Sequence, residues 1–377
     1  MNSSPKKIYV IAGEASGDLH ASNMMKALLN EDAEIQFRFW GGDQMKAIAG
    51  EPVKHIKDLA FMGFVEVLVN IKTILGNIKF CKEDILKFKP DVLVLIDYPG
   101  FNLRIAEWAH DQGIKVIYYI SPQIWAWKQS RVHKIKKVVD KMFVILPFEK
   151  DFYAKFDYSV DFVGHPLLDA IHNYEQVAIS KEAFIEQNNL SSLPIIAVLP
   201  GSRKQEVLKK LPLMLEAIQS FAGYQVVVAG APSLSPEFYE PMLTPNCTII
   251  HNQTYDLLSN AEAALVTSGT ATLETALFEV PEVVCYKSSQ ISYSIAKQLI
   301  KIKFISLVNL IMDEEIVTEL IQKECNPKRI AEELSYIVEG GKNRSAMIGS
   351  FKKLKIKLGG GGASKKVAQS LLKTIED

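Results

Sequence analysis

At 377 residues the chain exceeds the usual size of one domain, so two domains sharing a cleft are expected. Forty-three basic residues balance forty-three acidic ones, and a nucleic-acid partner, which normally calls for a basic excess, is not expected. Hydrophobic residues make up 48% and charged ones 23%, as in a soluble globular enzyme, and no run of about 18 uncharged apolar residues is present to span a bilayer.

The first residues are polar, and the apolar stretch behind them stops at Gly13-Glu14, too soon for a signal peptide. A cytoplasmic location with only peripheral membrane contact is therefore expected. The cysteines Cys81, Cys247, Cys285 and Cys325 lie far apart, with no CxxC pair, and read as reduced, mostly buried thiols rather than a disulfide frame or a metal site.

In chain order, 8–12 is a short apolar run closed by Gly13, and 19–29 has helical spacing. The run 59–80 is apolar with scattered lysines and can serve as core, membrane surface or acyl-chain cup. Residues 91–96 (DVLVLI), 115–120 (KVIYYI) and 141–146 (KMFVIL) are continuous apolar runs, the pattern of parallel strands buried on both faces. Helical spacing at 102–110 separates the first two. The strand pattern lapses between 160 and 194 and then restarts. Residues 195–199, 225–229 and 263–267 read as strands, with a helix over 207–221. Alternation of this kind predicts an α/β fold of two Rossmann-like halves, with the ligand crevice at the carboxyl ends of both sheets. The expected domains are 1–170, 190–345 and a helical tail, 346–377, returning to the first domain or to a partner subunit. The run Gly359-Gly360-Gly361-Gly362 in that tail lacks the order of a Walker loop and reads as a helix-breaking turn.

Two loops in the second half suit an anion. The strand 195–199 runs into Pro200-Gly201-Ser202-Arg203 before a helix. Glycine permits close backbone approach, the helix start offers unpaired N–H groups, and Arg203 is a bidentate phosphate donor. The strand 263–267 enters Ser268-Gly269-Thr270 and a helix carrying Glu274, whose two oxygens match the vicinal diol of a ribose. Either loop alone is equally a strand-to-helix turn with a capping residue. Two such helix starts in one domain point to a diphosphate.

In the first half, Gly13-Glu14-Ala15-Ser16-Gly17-Asp18 has the wrong spacing for a dinucleotide loop, and its two carboxylates would repel a pyrophosphate. It reads as a loop for neutral hydroxyls, unless Ser16 or Asp18 merely caps a helix. Asp97 closes its strand where such folds place ligands, and is a candidate general base or else the first residue of an Asp-Tyr-Pro-Gly turn. In Ser121-Pro122-Gln123-Ile124-Trp125-Ala126-Trp127, the tryptophans form either a sugar platform, an interfacial anchor or core. The basic run 128–141 is a solvated face or an anionic-membrane patch.

Together these segments resemble the bacterial lipid-A-disaccharide synthase family, glycosyltransferases of the GT-B fold. The resemblance runs through GEASGD at Gly13, Asp97-Tyr98-Pro99-Gly100-Phe101-Asn102, SPQIWAWK at Ser121, LPFEKDFY at Leu146 and Gly164-His165-Pro166. It continues through PGSRKQEV at Pro200, SGTATLE at Ser268 and Ser306-Leu307-Val308-Asn309. It implies inverting transfer of 2,3-diacylglucosamine from UDP to the 6-hydroxyl of 2,3-diacylglucosamine 1-phosphate, giving a β-1′,6 disaccharide 1-phosphate and UDP. On that footing Asp97 is the base, Arg203 and the Ser268 loop stabilise departing UDP, Glu274 holds ribose and Asn309 faces the nucleotide. Glu14, Ser16, Asp18 and His20 fall on the sugar and acceptor side. The resemblance further implies contact of 59–80 with lipid at the inner membrane and a homodimer exchanging tails.

The chain contains no Asp-x-Asp, which fits a transferase using arginine and helix dipoles, with neither metal nor cofactor. Gly100 stands where the family often has Asp, leaving Asp97 the only carboxylate of its loop, and Val308 stands where Pro is frequent. The nearest rival is another GT-B enzyme of UDP-amino-sugars, either a UDP-N-acetylglucosamine epimerase or a polyprenyl-linked transferase. A non-catalytic nucleotide- or lipid-binding protein is the rival from another class, while a dehydrogenase lacks its GxGxxG loop.

Overall fold

The computed structural model describes residues 5–59, 71–289, 293 and 302–376. Most of the expected apolar stretch 59–80 therefore lies outside the described residues up to 70, and only its last ten residues, with Leu59, can be discussed. The chain divides into two compact units, one of residues 1–170 with 358–377 and one of residues 171–357.

The first unit is built on a seven-stranded, wholly parallel sheet. Its strands are β1 (Lys7–Ala12), β2 (Gln36–Gly41), β3 (Lys54–His55), β4 (Val92–Ile96), β5 (Lys115–Tyr119), β6 (Lys141–Val144) and β7 (Asp161–Phe162). They lie in the order β3-β2-β1-β4-β5-β6-β7. The central strands are apolar at nearly every position because helices cover both faces. All five residues of β4 are inaccessible to solvent. Each such Val, Leu or Ile contributes about 1.5–3 kcal/mol by leaving water, which makes the middle of the sheet the anchor of the unit.

The second unit repeats the plan with six parallel strands. These are β8 (Ile195–Leu199), β9 (Gln225–Gly230), β10 (Cys247–His251), β11 (Ala261–Thr267), β12 (Glu282–Tyr286) and β13 (Thr318–Ile321), ordered β10-β9-β8-β11-β12-β13. The expected α/β class and the paired Rossmann-like sheets are present. The strands the sequence pattern did not announce, β2, β3, β7, β10, β12 and β13, are mostly short or peripheral, and several are half-wet. Cys247–His251, for instance, has one fully buried residue of five, so its alternation is too weak to read.

Both sheets reverse their strand order at one point, between β1 and β4 and between β8 and β11. At such a switch point the two strands' following segments diverge to opposite faces and leave an opening at their carboxyl ends. The segments leaving those four strands are Gly13 to Asp18, Asp97 to Gly100, Pro200 to Arg203 and Ser268 to Thr270. Topology thus gathers the sequence's candidate loops in pairs, one pair per unit.

The last helix, Ala363–Glu376, belongs to the first unit, where it packs on the helix Ala15–Glu31. Its Val367, Ala368 and Leu371 are fully buried. No helix among the described residues is long and apolar enough to cross a membrane.

Candidate functional site

In the first unit the loop after β1 and the loop after β4 touch. A Cβ on Gly13 would fall 2.3 Å from the ring of Tyr98, so glycine is what allows that ring to lie against the backbone. Asp97 and Tyr98 have φ of 44° and 49°. Left-handed backbone costs a non-glycine residue about 1–3 kcal/mol and persists only where neighbours enforce it. The enforcement is visible: the Asn102 amide donates to the carbonyls of Ile96 and Asp97, at 3.2 and 2.8 Å, and the Tyr118 hydroxyl donates to the Asp97 carbonyl at 2.5 Å.

Burial, and next the negative charge of Glu14, push the Asp97 carboxyl up to about 7, against the opposing pull of the Tyr98 N–H. A carboxylate poised near neutrality is suited to accept a proton. Glu14 is thereby brought to bear on Asp97, and Ser16 sits half-exposed in the first turn of the helix that follows.

The other two residues expected on this side are buried. Asp18 is buried, and its carboxylate accepts from the N–H groups of Gly42, Gln44 and Met45 at 2.7, 3.0 and 3.1 Å. It caps the helix Asp43–Ala49, an anion at a positive helix end. His20 is also buried, and desolvation lowers its pKa to about 4, so the imidazole is neutral.

Of the two tryptophans, Trp125 is core, its ring edge-on to Phe148 with centroids 4.9 Å apart, while Trp127 remains 46% exposed beneath the Arg131 guanidinium. Behind Trp125, Glu149 accepts from the N–H groups of Ile145 and Leu146 at 3.2 and 2.9 Å.

In the second unit, Gly201 has a φ of 116°, and a Cβ there would meet the Glu206 carboxylate at 2.6 Å and the Thr267 methyl at 3.5 Å. The glycine closes the β8 loop onto the end of β11. Arg203 stands at the N-cap of the helix Lys204–Ile218, with its guanidinium exposed and 3.2 Å from Glu206. Ser202 is exposed beside it.

Gly269, at φ 140°, opens the helix Thr270–Leu277. Ser268 donates to the Ile305 carbonyl at 2.9 Å. Glu274 lies one turn inside, half-buried, with one carboxylate oxygen 3.0 Å from the Tyr255 hydroxyl; burial raises its pKa. Two helix starts flank this switch point, each with unpaired N–H groups and a hydroxyl or guanidinium.

Asn309 is fully buried and its amide is committed inside the protein. It donates to Val317 O and Glu319, at 2.8 and 3.0 Å, and accepts from the N–H groups of Ile316 and Val317. Glu319 also accepts from the N–H groups of Ile305 and Ser306, each at 2.9 Å. Asn309 and Glu319 together pin the segment that receives the Ser268 hydroxyl. Sequence reasoning missed Glu319, Tyr255 and Thr267, none of which stands in a readable pattern. It also passed over Lys210, although a lysine spaced with Val207, Leu211 and Met214 sits on the apolar stripe of its helix.

The model of the lipid-A-disaccharide synthetase family matches residues 8–373. Lipid-A-disaccharide synthase of Trichlorobacter lovleyi is 38% identical over 381 residues, covering 99% of this chain and 98% of that protein. Those of Coxiella burnetii and Myxococcus xanthus are also 38% identical and cover 97% and 98% of this chain and 98% of each relative. Among solved structures, a UDP-GlcNAc 2-epimerase from Neisseria meningitidis bound to UDP-GlcNAc superposes with a TM-score of 0.69 at 15% identity, covering 97% of this chain and all of that one. A Staphylococcus aureus MnaA–UDP complex gives 0.68 at 13%, over 98% and 97%. At such identities these neighbours show the fold alone, and the epimerase alternative is not favoured. Full-length identity and a family match from the first strand to the last helix decide the matter: this chain belongs to the lipid-A-disaccharide synthase family, glycosyltransferases of lipid A biosynthesis built on two parallel-sheet α/β units.

Proposed function

We propose that the chain transfers 2,3-diacylglucosamine from UDP to the 6-hydroxyl of 2,3-diacylglucosamine 1-phosphate, with Asp97 as general base. The observation that carries this assignment is the enforced left-handed turn at the end of β4, which holds a near-neutral carboxyl beside the β1 loop. Asp97 takes the proton of the acceptor hydroxyl as its oxygen attacks the anomeric carbon. The bond from that carbon to the β-phosphate oxygen breaks with inversion, and UDP leaves with the electron pair. Arg203, with the N–H groups of the Gly201–Ser202 and Ser268–Gly269–Thr270 loops, stabilises the charge that accumulates on the diphosphate. Glu274 takes the ribose hydroxyls on the oxygen not held by Tyr255. Asn309 contributes by fixing the segment under Ser268 rather than through its own amide. Glu14 sets the ionisation of Asp97, and Ser16 is the side chain of that loop most available to a sugar. Asp18 and His20 act from beneath, through packing.

Peripheral attachment to the cytoplasmic face of the inner membrane fits two acylated substrates. Ile71, Leu75 and Phe80 on the helix Ile71–Phe88, and Leu208 on the helix Lys204–Ile218, expose about half of their surface, and such residues favour an acyl boundary. A homodimer is the assembly we infer.

Incubation with UDP-2,3-diacylglucosamine and the acylated sugar 1-phosphate, followed by mass spectrometry, should reveal the disaccharide 1-phosphate. Asp97→Asn should keep UDP affinity while turnover falls about 10²–10⁴-fold, the usual worth of a general base. Unchanged turnover would remove Asp97 from that role.

A further inference from the structure

Lys210 is 1% exposed, the most deeply buried ammonium among the described residues. A buried ammonium costs several kcal/mol unless something compensates it, and lysines in an apolar stripe are therefore uncommon. Here the helix Lys204–Ile218 buries Val207, Leu211 and Met214 on the same face, so a leucine would pack at position 210 at no electrostatic cost. The Nζ donates to the hydroxyl of Thr267. That threonine is the last residue of β11, immediately before Ser268, and its methyl lies 3.5 Å from the Cβ position of Gly201. Thr267 therefore touches both loops of the switch point at once, and Lys210 stands behind it on the protein side. The other ionisable groups facing the ammonium are Glu206 and Arg203 on its own helix, Cys285 on β12 and Cys325 after β13. Only Glu206 is a carboxylate, and it is shared with Arg203.

We propose that Lys210 is a positioning residue for the nucleotide diphosphate, a buried cation behind the two loops whose charge is balanced by the ligand. The inference rests on the reading of those loops as the diphosphate grip. A fixed positive charge in the low-dielectric interior acts on an anion several ångströms away with little screening by salt. Its hydrogen bond also orients the Thr267 hydroxyl and ties the helix that begins at Lys204 to the strand that feeds Ser268. Nucleotides lacking the diphosphate should not sense it.

The test compares UDP with uridine on the full chain. Lys210→Met retains length and packing while removing the charge. It should raise the Kd for UDP about tenfold, equivalent to about 1.4 kcal/mol, leave the Kd for uridine unchanged, and preserve that difference between 50 and 300 mM salt. Equal losses for UDP and uridine, or no loss for either, would overturn the proposal. Arg203→Ala, measured alongside, separates the two layers. If Arg203→Ala weakens UDP and Lys210→Met does not, Lys210 is only structural. If neither variant weakens UDP, the diphosphate reading of the loops fails with it. Should Lys210→Met not fold, Thr267→Val, which keeps the shape and removes the hydroxyl, takes its place. It should weaken UDP several-fold and spare uridine, and an unchanged UDP affinity would count against the proposal.

Discussion

Asp97 shows how a residue's neighbours, more than its type, set what it can do. Its carboxyl sits at about 7 because burial and then Glu14 disfavour the charge. A base must be unprotonated to act, so kcat/KM should rise from pH 6 to pH 8 and level off above. Glu14→Gln removes the neighbouring charge, and the rising limb should move to lower pH while the plateau stays within a few-fold. A limb that does not move would mean that Glu14 bears on catalysis by another route. Gly201 offers a second test at this scale. With φ at 116° and the Glu206 carboxylate in the way of any Cβ, Gly201→Ala must distort the β8 loop, at a cost of about 1–3 kcal/mol of strain. UDP affinity should fall about tenfold or more, as titration calorimetry would report. Glycines at 201 and 269 were legible in the sequence, because a glycine between a strand and a helix announces a backbone that must come close to something. The positive φ at Asp97 and Tyr98 was not legible: nothing in Asp-Tyr-Pro-Gly announces two consecutive left-handed residues, which are held by Asn102 and Tyr118 donating to the carbonyls of Ile96 and Asp97.

At the scale of elements, the buried parallel strands read cleanly, since a strand covered on both faces has no choice but apolar residues. What stayed hidden was polar chemistry inside the packing, as at the start of β12. Glu282 is fully buried, and neither of its carboxylate oxygens has a hydrogen-bond partner among the described residues. Burial raises its pKa well above the ordinary value of 4.5, so between that value and the raised one the folded chain holds a proton that the unfolded chain gives up. Folding must then take up a proton at pH values between about 4.5 and the raised folded-state pKa. The stability this residue allows is complete below the lower of these and is lost as pH rises, by about 1.4 kcal/mol for each pH unit up to the folded-state pKa. Glu282→Gln removes the ionisation. Its melting temperature should exceed that of the parent at pH 8, and the gap should shrink steadily towards pH 5. A pH-independent gap would show that the side chain finds a partner in solution. No periodicity could reveal this residue, because a glutamate opening a strand normally faces water; here the helix Arg344–Lys357 packs close enough for the Met347 sulfur to accept from the Glu282 N–H at 3.4 Å.

At the scale of the whole molecule, the two sheets repeat one plan, and the last helix breaks the repeat by rejoining the first unit. Contacts along its whole length hold it there. Its apolar face is sealed by Val367, Ala368 and Leu371, each fully buried. The Asp169 carboxylate accepts from the N–H groups of Gly362 and Ser364, at 2.5 and 2.8 Å, so an acid from another helix caps this one. Near its other end, Lys115 donates to the Thr374 carbonyl at 2.7 Å. The glycine run before it was read as a turn, and it is one: Gly359, Gly360 and Gly362 all have positive φ, and Gly164 comes so near that a Cβ there would lie 3.2 Å from the Gly360 carbonyl. Removing residues 358–377 would uncover that face of the helix Ala15–Glu31 and leave Asp169 without its N–H partners. Burial of the lost Val and Leu side chains is worth about 1.5–3 kcal/mol each. Against the roughly 5–15 kcal/mol of a typical domain this is a large fraction, so the first unit should melt at or near room temperature. The second unit retains every residue assigned to UDP, since Gly201, Arg203, Ser268 and Glu274 all lie within 171–357. The truncated chain should therefore bind UDP and show a UDP-dependent rise in its remaining melting transition, while transferring no sugar. Asp169→Ala is the milder form of the same change. Loss of one helix cap costs about 0.5–2 kcal/mol, enough to lower the first unit's transition by several degrees but not to abolish transfer at 25 °C. Full transfer by the truncated chain would mean that Asp97 and its turn hold their geometry without the tail.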